Sequence, residues 1–295
     1  MNAPSPNRGK ELADRVKIPP RPEVLITVME EAKKEDPDFN RISKALSSDV
    51  SLSAAILQVV NSPFFGLRNR ISSIQQAMAL LGLKKVSSVV RVVSLRNSVT
   101  NELELGRFWD TASEVANICG MLAPKLSALA ADDAYTLGLF HDCGIPLMMQ
   151  SFKDYKEVLR LSNLSNVKPR TRIEDRRYGT NHAEVGYELA KKWFLPDHLA
   201  LAVLNHHRYH ELFITDAAGS DLNESDNYEV LPLLAILKMA EQVSAMFRKS
   251  LRAEFSDEWE EMGPLILKCM AISEQDYSEI RDDILEQLYN EDCGN

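Results

Sequence analysis

Two adjacent ionisable residues, His141 and Asp142, stand inside the apolar stretch Tyr135–Gln150, YTLGLFHDCGIPLMMQ. Burying an imidazole beside a carboxylate is costly unless each finds a partner, so the pair requires hydrogen-bonding neighbours or a metal. A second set of reactive side chains follows: Lys168, Arg170, Arg172, Arg176 and Arg177 crowd a stretch relieved only by Glu174 and Asp175. Guanidinium groups gathered in this way suit contacts to a phosphate-bearing, nucleotide-like ligand; a solvated polar loop is the plainer reading. The cysteines are less suggestive. Cys119, Cys143, Cys269 and Cys293 lie far apart and form no CxxC pair, which argues against a structural zinc site and a secreted disulfide scaffold alike. Cys143, next to the pair, reads as a small core residue.

The elements that must hold these residues read as helices. At 295 residues, 45% hydrophobic and 26% charged, the chain can bury one large core or two small ones. Lys17–Pro22 is held extended by its prolines, and helix is expected from Glu23 to about Lys34, stopped at Asp36-Pro37. Asp38 and Asp49 cap the next two helices, the second ending at Asn61-Ser62-Pro63. Ser73 and Gln76 have capping-box spacing, Gly82 breaks the run, and Val86, Val89, Val90 and Val93 form an apolar stripe. Five short helices are thus expected between about Glu23 and Thr100, with no strand alternation.

The second half continues in kind. Helices are expected over Phe108–Ala123, over the segment capped by Asp132-Asp133 that carries the pair, and over Lys153–Leu161. Ser162–Gly179 reads as a polar loop. Asn181 and Glu184 open a helix to about Trp193, and Asp197 caps one ending on Asn205-His206-His207. Asp216–Glu229 reads as an acidic mobile insertion, Leu231–Phe247 as a helix, and Ala253–Leu288 as two more. No apolar run reaches bilayer length, and Met1–Lys10 lacks the apolar core of a signal peptide, so no membrane association and a cytoplasmic location are expected. The net charge of −9 works against nucleic acid as a partner.

Residues 49–90, DVSLSAAILQVVNSPFFGLRNRISSIQQAMALLGLKKVSSVV, resemble the HDOD family of bacterial signalling domains. That family's pattern of Asp, apolar helix, Asn-Ser, aromatic, Ile-x-Ser-Ile-x-x-Ala and Leu-Gly is met by Asp49, Ile56-Leu57, Asn61-Ser62, Phe64-Phe65, Ile71–Ile74, Ala77 and Leu81-Gly82. The resemblance extends with fewer identities to about residue 248. It implies an all-α fold of two adjoining helical bundles, the second a degenerate HD-like bundle, plus C-terminal helices. The expected boundaries are a flexible tail over 1–17, an HDOD domain over 18–248 divided at 100/101, and a helical extension over 249–295.

The second bundle is similar to the HD superfamily, whose active members hold one or two divalent metals among histidines and aspartates of neighbouring helices. On that resemblance His141, Asp142, His182, His206 and His207 stand where such enzymes carry ligands, and Glu241 stands where they carry a final aspartate. Imidazoles and carboxylates suit iron or manganese, and such a metal lowers the pKa of the attacking water. Two positions depart from the pattern: Thr111 replaces a histidine in a Trp-x-His setting, and Ile145 replaces the lysine of HD-x-Gly-Lys. Glu241 is also longer than aspartate by a methylene. Either one metal ion or a hydrogen-bonded network without metal accounts for the cluster. His206 and His207, about 100° apart on a helix, can both face one ion only at a helix end. His198 and His210 read as rim residues. The resemblance implies a regulatory module that works by contact with a partner protein in bacterial signal transduction and is not catalytic; the rival is a metal-dependent phosphohydrolase acting on a nucleotide or cyclic dinucleotide.

Overall fold

The computed structural model describes residues 12, 15–61, 67, 69–99, 105–126, 131–164, 171–217, 224–249 and 257–293. Every regular element among these residues is an α-helix. The chain forms two compact units, one over Pro19–Asn101 and one over Met1–Ile18 with Glu102–Asn295.

The Pro19–Asn101 unit holds α1 (Glu23–Ala32), α2 (Phe39–Ser47), α3 (Val50–Val60) and α4 (Ile74–Ser98). Side chains of Asp38, Asp49 and Ser73 accept from the backbone N–H groups of Arg41, Leu52 and Gln76, which otherwise lack partners at a helix start. Gly82 sits inside α4 at φ 73° and ψ 161°, so the element is two helical arms joined at a residue that only glycine tolerates easily. That accounts for five expected helices appearing as four. Asn61 closes α3: its amide donates to the carbonyls of Leu57 and Ile71 and accepts from the Ile71 N–H. Ser62, Pro63, Phe64 and Phe65 lie outside the described residues. Leu25, Val28, Ile42, Leu46, Ile56 and Val60 are fully buried and form the core. Buried Glu31 receives Lys34, Arg41 and the Asp38 N–H, tying α1 to α2.

The second unit holds α5 (Gly106–Leu126), α6 (Ala131–Phe140), α7 (Gly144–Ser151), α8 (Tyr155–Leu164), α9 (Arg172–Tyr178), α10 (His182–Lys192), α11 (Asp197–Asn205), α12 (Tyr209–Ala217), α13 (Glu224–Lys249), α14 (Asp257–Cys269) and α15 (Glu274–Cys293). Leu12 and Val16, in the stretch read as a tail, are buried, and the Arg15 guanidinium donates to the Tyr178 carbonyl. α13 is the central helix, packed against α5, α6, α11, α12, α14 and α15. Its segment Glu229–Arg248 is long and apolar enough to cross a membrane, yet two thirds of it is buried inside the fold, the pattern of a core helix.

Several boundaries differ from the sequence reading. The C-terminal part of the expected polar loop is α9: acidic Glu174 and Asp175 lie in its first turn, Arg176 and Arg177 in its last, and Gly179 ends it at φ 68°. At seven residues it is too short to show a period. Asp197 and the Asp132-Asp133 pair are first-turn residues rather than caps, favourable there through the helix dipole. α13 begins at Glu224, inside the stretch read as an acidic insertion, and carries Pro232 in its interior.

Candidate metal centre

All the candidate histidines stand at helix ends. His141 and Asp142 lie in the turn between α6 and α7; His182 is the first residue of α10, whose start is capped by the Asn181 side chain; His206 and His207 follow the last residue of α11. Two glycines let these ends meet. A Cβ on Gly144 would come within 2.0 Å of the His182 carbonyl oxygen, and one on Gly138 within 2.7 Å of the Ala116 Cα. Only residues without a side chain permit α7 to touch the start of α10, and α6 to touch α5.

Acceptors fix the rings. His141 Nδ1 lies 2.8 Å from the Gly138 carbonyl and His206 Nδ1 2.6 Å from the Val203 carbonyl. His182 Nδ1 lies 2.8 Å from Glu174 Oε1, and Glu174 Oε2 also accepts the His182 backbone N–H at 2.8 Å. Carbonyls and carboxylates only accept, so each Nδ1 donates, and each Nε2 is turned inward.

Those inward atoms converge on Asp142. His182 Nε2 and His206 Nε2 lie 3.3 and 3.2 Å from its Oδ1, and His207 Nε2 lies 2.9 Å from His182 Nε2. The ligand atoms of Asp142, His182, His206 and His207 all fall within 4.8 Å of one another, a cluster that could hold a metal ion. Ligands about 2.0–2.2 Å from a first-row ion sit roughly 3 Å apart, as do the His182–Asp142, His206–Asp142 and His182–His207 contacts here. The test of fit is His206 Nε2: it is buried, its approach to Asp142 lacks hydrogen-bond geometry, and it has no hydrogen-bond partner. A lone pair facing a carboxylate oxygen is unfavourable unless a positive charge lies between them, and a metal supplies one.

His141 and Glu241 belong to the other side of the carboxylate. His141 Nε2 lies 3.3 Å from Asp142 Oδ2 and 3.8 Å from Glu241 Oε1. Glu241 Oε2 accepts from Lys238 Nζ at 2.7 Å, and this buried ammonium lies 4.5 Å above the Tyr209 ring.

The electrostatics follow from these contacts. Burial alone would depress His182, but the carboxylates of Glu174 and Asp142 prevail and its pKa is pushed up to about 10. His141 is raised against burial, chiefly by Asp142. His206 is lowered by burial, and His207 falls well below the usual range through burial with the charges of His206, His182 and Lys238 around it. Burial would raise Asp142, but His141, and after it His182, hold it well below the carboxylate range. Cys143 is buried, its thiol pushed well up by desolvation, as expected of a core residue.

The other singled-out residues lie elsewhere. Arg172 and Arg176 are exposed on α9, and Arg177 pairs with Asp154 at 2.8 Å. Lys168 and Arg170 lie outside the described residues. What α9 delivers to the histidines is Glu174, which the sequence showed only as an interruption in a basic run. Thr111 Oγ1 donates to the Arg107 carbonyl and accepts from Arg248, whose guanidinium also grips Glu114, so this hydroxyl is committed to a link between α5 and α13. Ile145 is buried in α7; a cation that does act on the cluster, through His207, is Lys238 of α13, a charge in an apolar run that helical patterning gave no reason to single out. His198 pairs with Asp133 and His210 with Glu261, both partly exposed.

The sequence profile of the HDOD domain family matches residues 18–209. An uncharacterized protein of Treponema pallidum is 27% identical over 203 residues, 66% of this chain and 39% of that protein, so the match spans well under half of the curated relative. Two solved structures share the fold: a candidate phosphohydrolase of Shewanella amazonensis (TM-score 0.68, 22% identity, 96% of this chain and 94% of that one) and a candidate signal transduction protein of Marinobacter aquaeolei (TM-score 0.65, 18% identity, 95% and 59%).

Proposed function

Because the chain belongs to the HDOD domain family, we propose that it is a bacterial signal-transduction module which acts by contact with a partner protein and carries one divalent metal ion as a fixed part of its second unit. The observation that carries the metal reading is the inward-facing set of Asp142 Oδ1 and the Nε2 atoms of His182, His206 and His207, with one of those nitrogens buried and unpartnered. These four residues would hold the ion, iron or manganese by their chemistry, while Glu174 and the Val203 carbonyl keep two of the rings aimed. The ion would supply a Lewis acid and, here, chiefly a cross-link between helix ends.

Three features support a regulatory rather than a hydrolytic role. Thr111 is engaged by Arg248, Ile145 offers no charge to a phosphate, and Glu241 is held by Lys238. For the partner contact, the Pro19–Asn101 unit presents Phe39, Val50 and Leu80 as exposed apolar side chains.

A metal-dependent phosphohydrolase is the second reading, favoured by the same assembled cluster and by the description of the Shewanella relative. Elemental analysis of the purified protein, followed by phosphate release from nucleotides and cyclic dinucleotides with manganese or iron, separates the two. One equivalent of metal without turnover is expected. Turnover lost on Asp142→Asn would establish the enzyme instead, and protein without metal after loading would leave a plain hydrogen-bonded network.

A further inference from the structure

The two oxygens of Asp142 face different surroundings. Oδ1 is approached by His182 and His206, which with His207 make up the cluster described above. Oδ2 is approached by His141, whose Nδ1 is already bound to the Gly138 carbonyl, and the same His141 Nε2 lies 3.8 Å from Glu241 Oε1. On that second side one imidazole nitrogen thus faces an oxygen from each of two carboxylates, donor types suited to another divalent ion.

A positive charge already stands against the other oxygen of Glu241. Lys238 lies one helical turn before Glu241 on α13, its side chain 7% exposed, with Nζ 2.7 Å from Glu241 Oε2. The Tyr209 ring holds the ammonium from its other side at 4.5 Å. A buried ammonium without its carboxylate is strongly unfavourable, so the pair has little freedom to separate and release Glu241 to a metal. A divalent ion beside it would also meet a like charge across a single carboxylate.

We propose that Lys238, by neutralising Glu241 through its other oxygen, takes the place of a second cation at the centre, so that the chain takes one metal ion where His141, Asp142 and Glu241 would otherwise help to bind two. The inference rests on the metal reading given above and specifies its stoichiometry. It assigns Lys238 the role of a built-in counter-ion for Glu241.

The test is the number of bound ions in the full chain. Wild type, Lys238→Met and Lys238→Gln are each loaded with manganese, freed of excess by gel filtration, and analysed for metal per chain, with circular dichroism to verify folding. Methionine keeps the length of the buried stem without charge, and glutamine keeps a polar end should methionine fold poorly. One equivalent in wild type rising to two in either folded variant, and returning to one in Lys238→Met/Glu241→Gln, is the expected result. Two equivalents in wild type, or one in wild type and still one in both lysine variants, overturns the role of Lys238 while leaving the histidine site intact. No metal in any of the proteins overturns the metal reading and this inference together.

Discussion

Replacing Glu174 by glutamine should weaken metal binding by about ten- to a hundredfold, the usual range for a partner behind a ligand. The carboxylate is 1% exposed and accepts two hydrogens from His182, from the backbone nitrogen at 2.8 Å and from Nδ1 at 2.8 Å. Glutamine has one accepting oxygen, and its NH2 group faces whichever N–H the oxygen does not take, so one charge-assisted bond is lost, worth about 1.5–3 kcal/mol. At about 1.4 kcal/mol per factor of ten this agrees with the range above. An opposing effect must be weighed: Glu174 also helps to raise the pKa of His182, so its loss eases competition from the proton. A divalent ion at Nε2 carries twice the charge of the proton it displaces, however, and loses more of the carboxylate's attraction. The net change is therefore weaker binding. Competition against a chromophoric chelator at constant pH measures it, with Asp142→Asn as the variant expected to lose the ion altogether. Affinity within twofold of wild type in a folded Glu174→Gln protein would refute the orienting role.

Three further outcomes follow from the same geometry. In chelator-treated protein His182, raised to about 10 from an unfolded value near 6.5, contributes stability that is complete below about pH 6.5 and lost as pH climbs through about 10; Asp142, lowered, contributes stability above about pH 3.8 that is lost on acidification. A thermal midpoint that stays flat from pH 6.5 to 10 would contradict this, and metal affinity should rise over the same interval as the proton leaves. Gly144→Ala forces a methyl group against the His182 backbone, so it should cost about 1–3 kcal/mol or more in urea titration and lower metal affinity as well; unchanged behaviour in both would show that α7 can shift away. Val50→Glu with Leu80→Glu, both exposed, should leave the melting temperature within a degree or two and abolish binding to the partner; retained binding would move the contact surface elsewhere.

Helices and their starts were legible because capping is local: Asp38, Asp49 and Asn181 each bond a backbone N–H three residues on, and that spacing is visible in the sequence. The histidine cluster was legible through its residue types and its resemblance to a known family. Glu174 was not, because its role depends on a seven-residue helix too short to show a period and on a partner eight residues away. Lys238 was hidden differently. Amid Leu237 and Met239 it reads as a lapse in an apolar run, and only the folded chain reveals that Glu241 and Tyr209 receive it. Thr111 was identified as a departure, but its engagement by Arg248, 137 residues on, is a fact of tertiary packing.

The candidate ligands sit at or just beyond helix ends, so the direction of His206 and His207 depends on the residue count of the helix that precedes them. One residue inserted into α11 would swing His206 and His207 by about 100° around that axis and away from Asp142, however well the longer helix folded. Helix length in this unit is therefore a setting of angle, and a length polymorphism inside α11 would dismantle the cluster without changing any of its four residues.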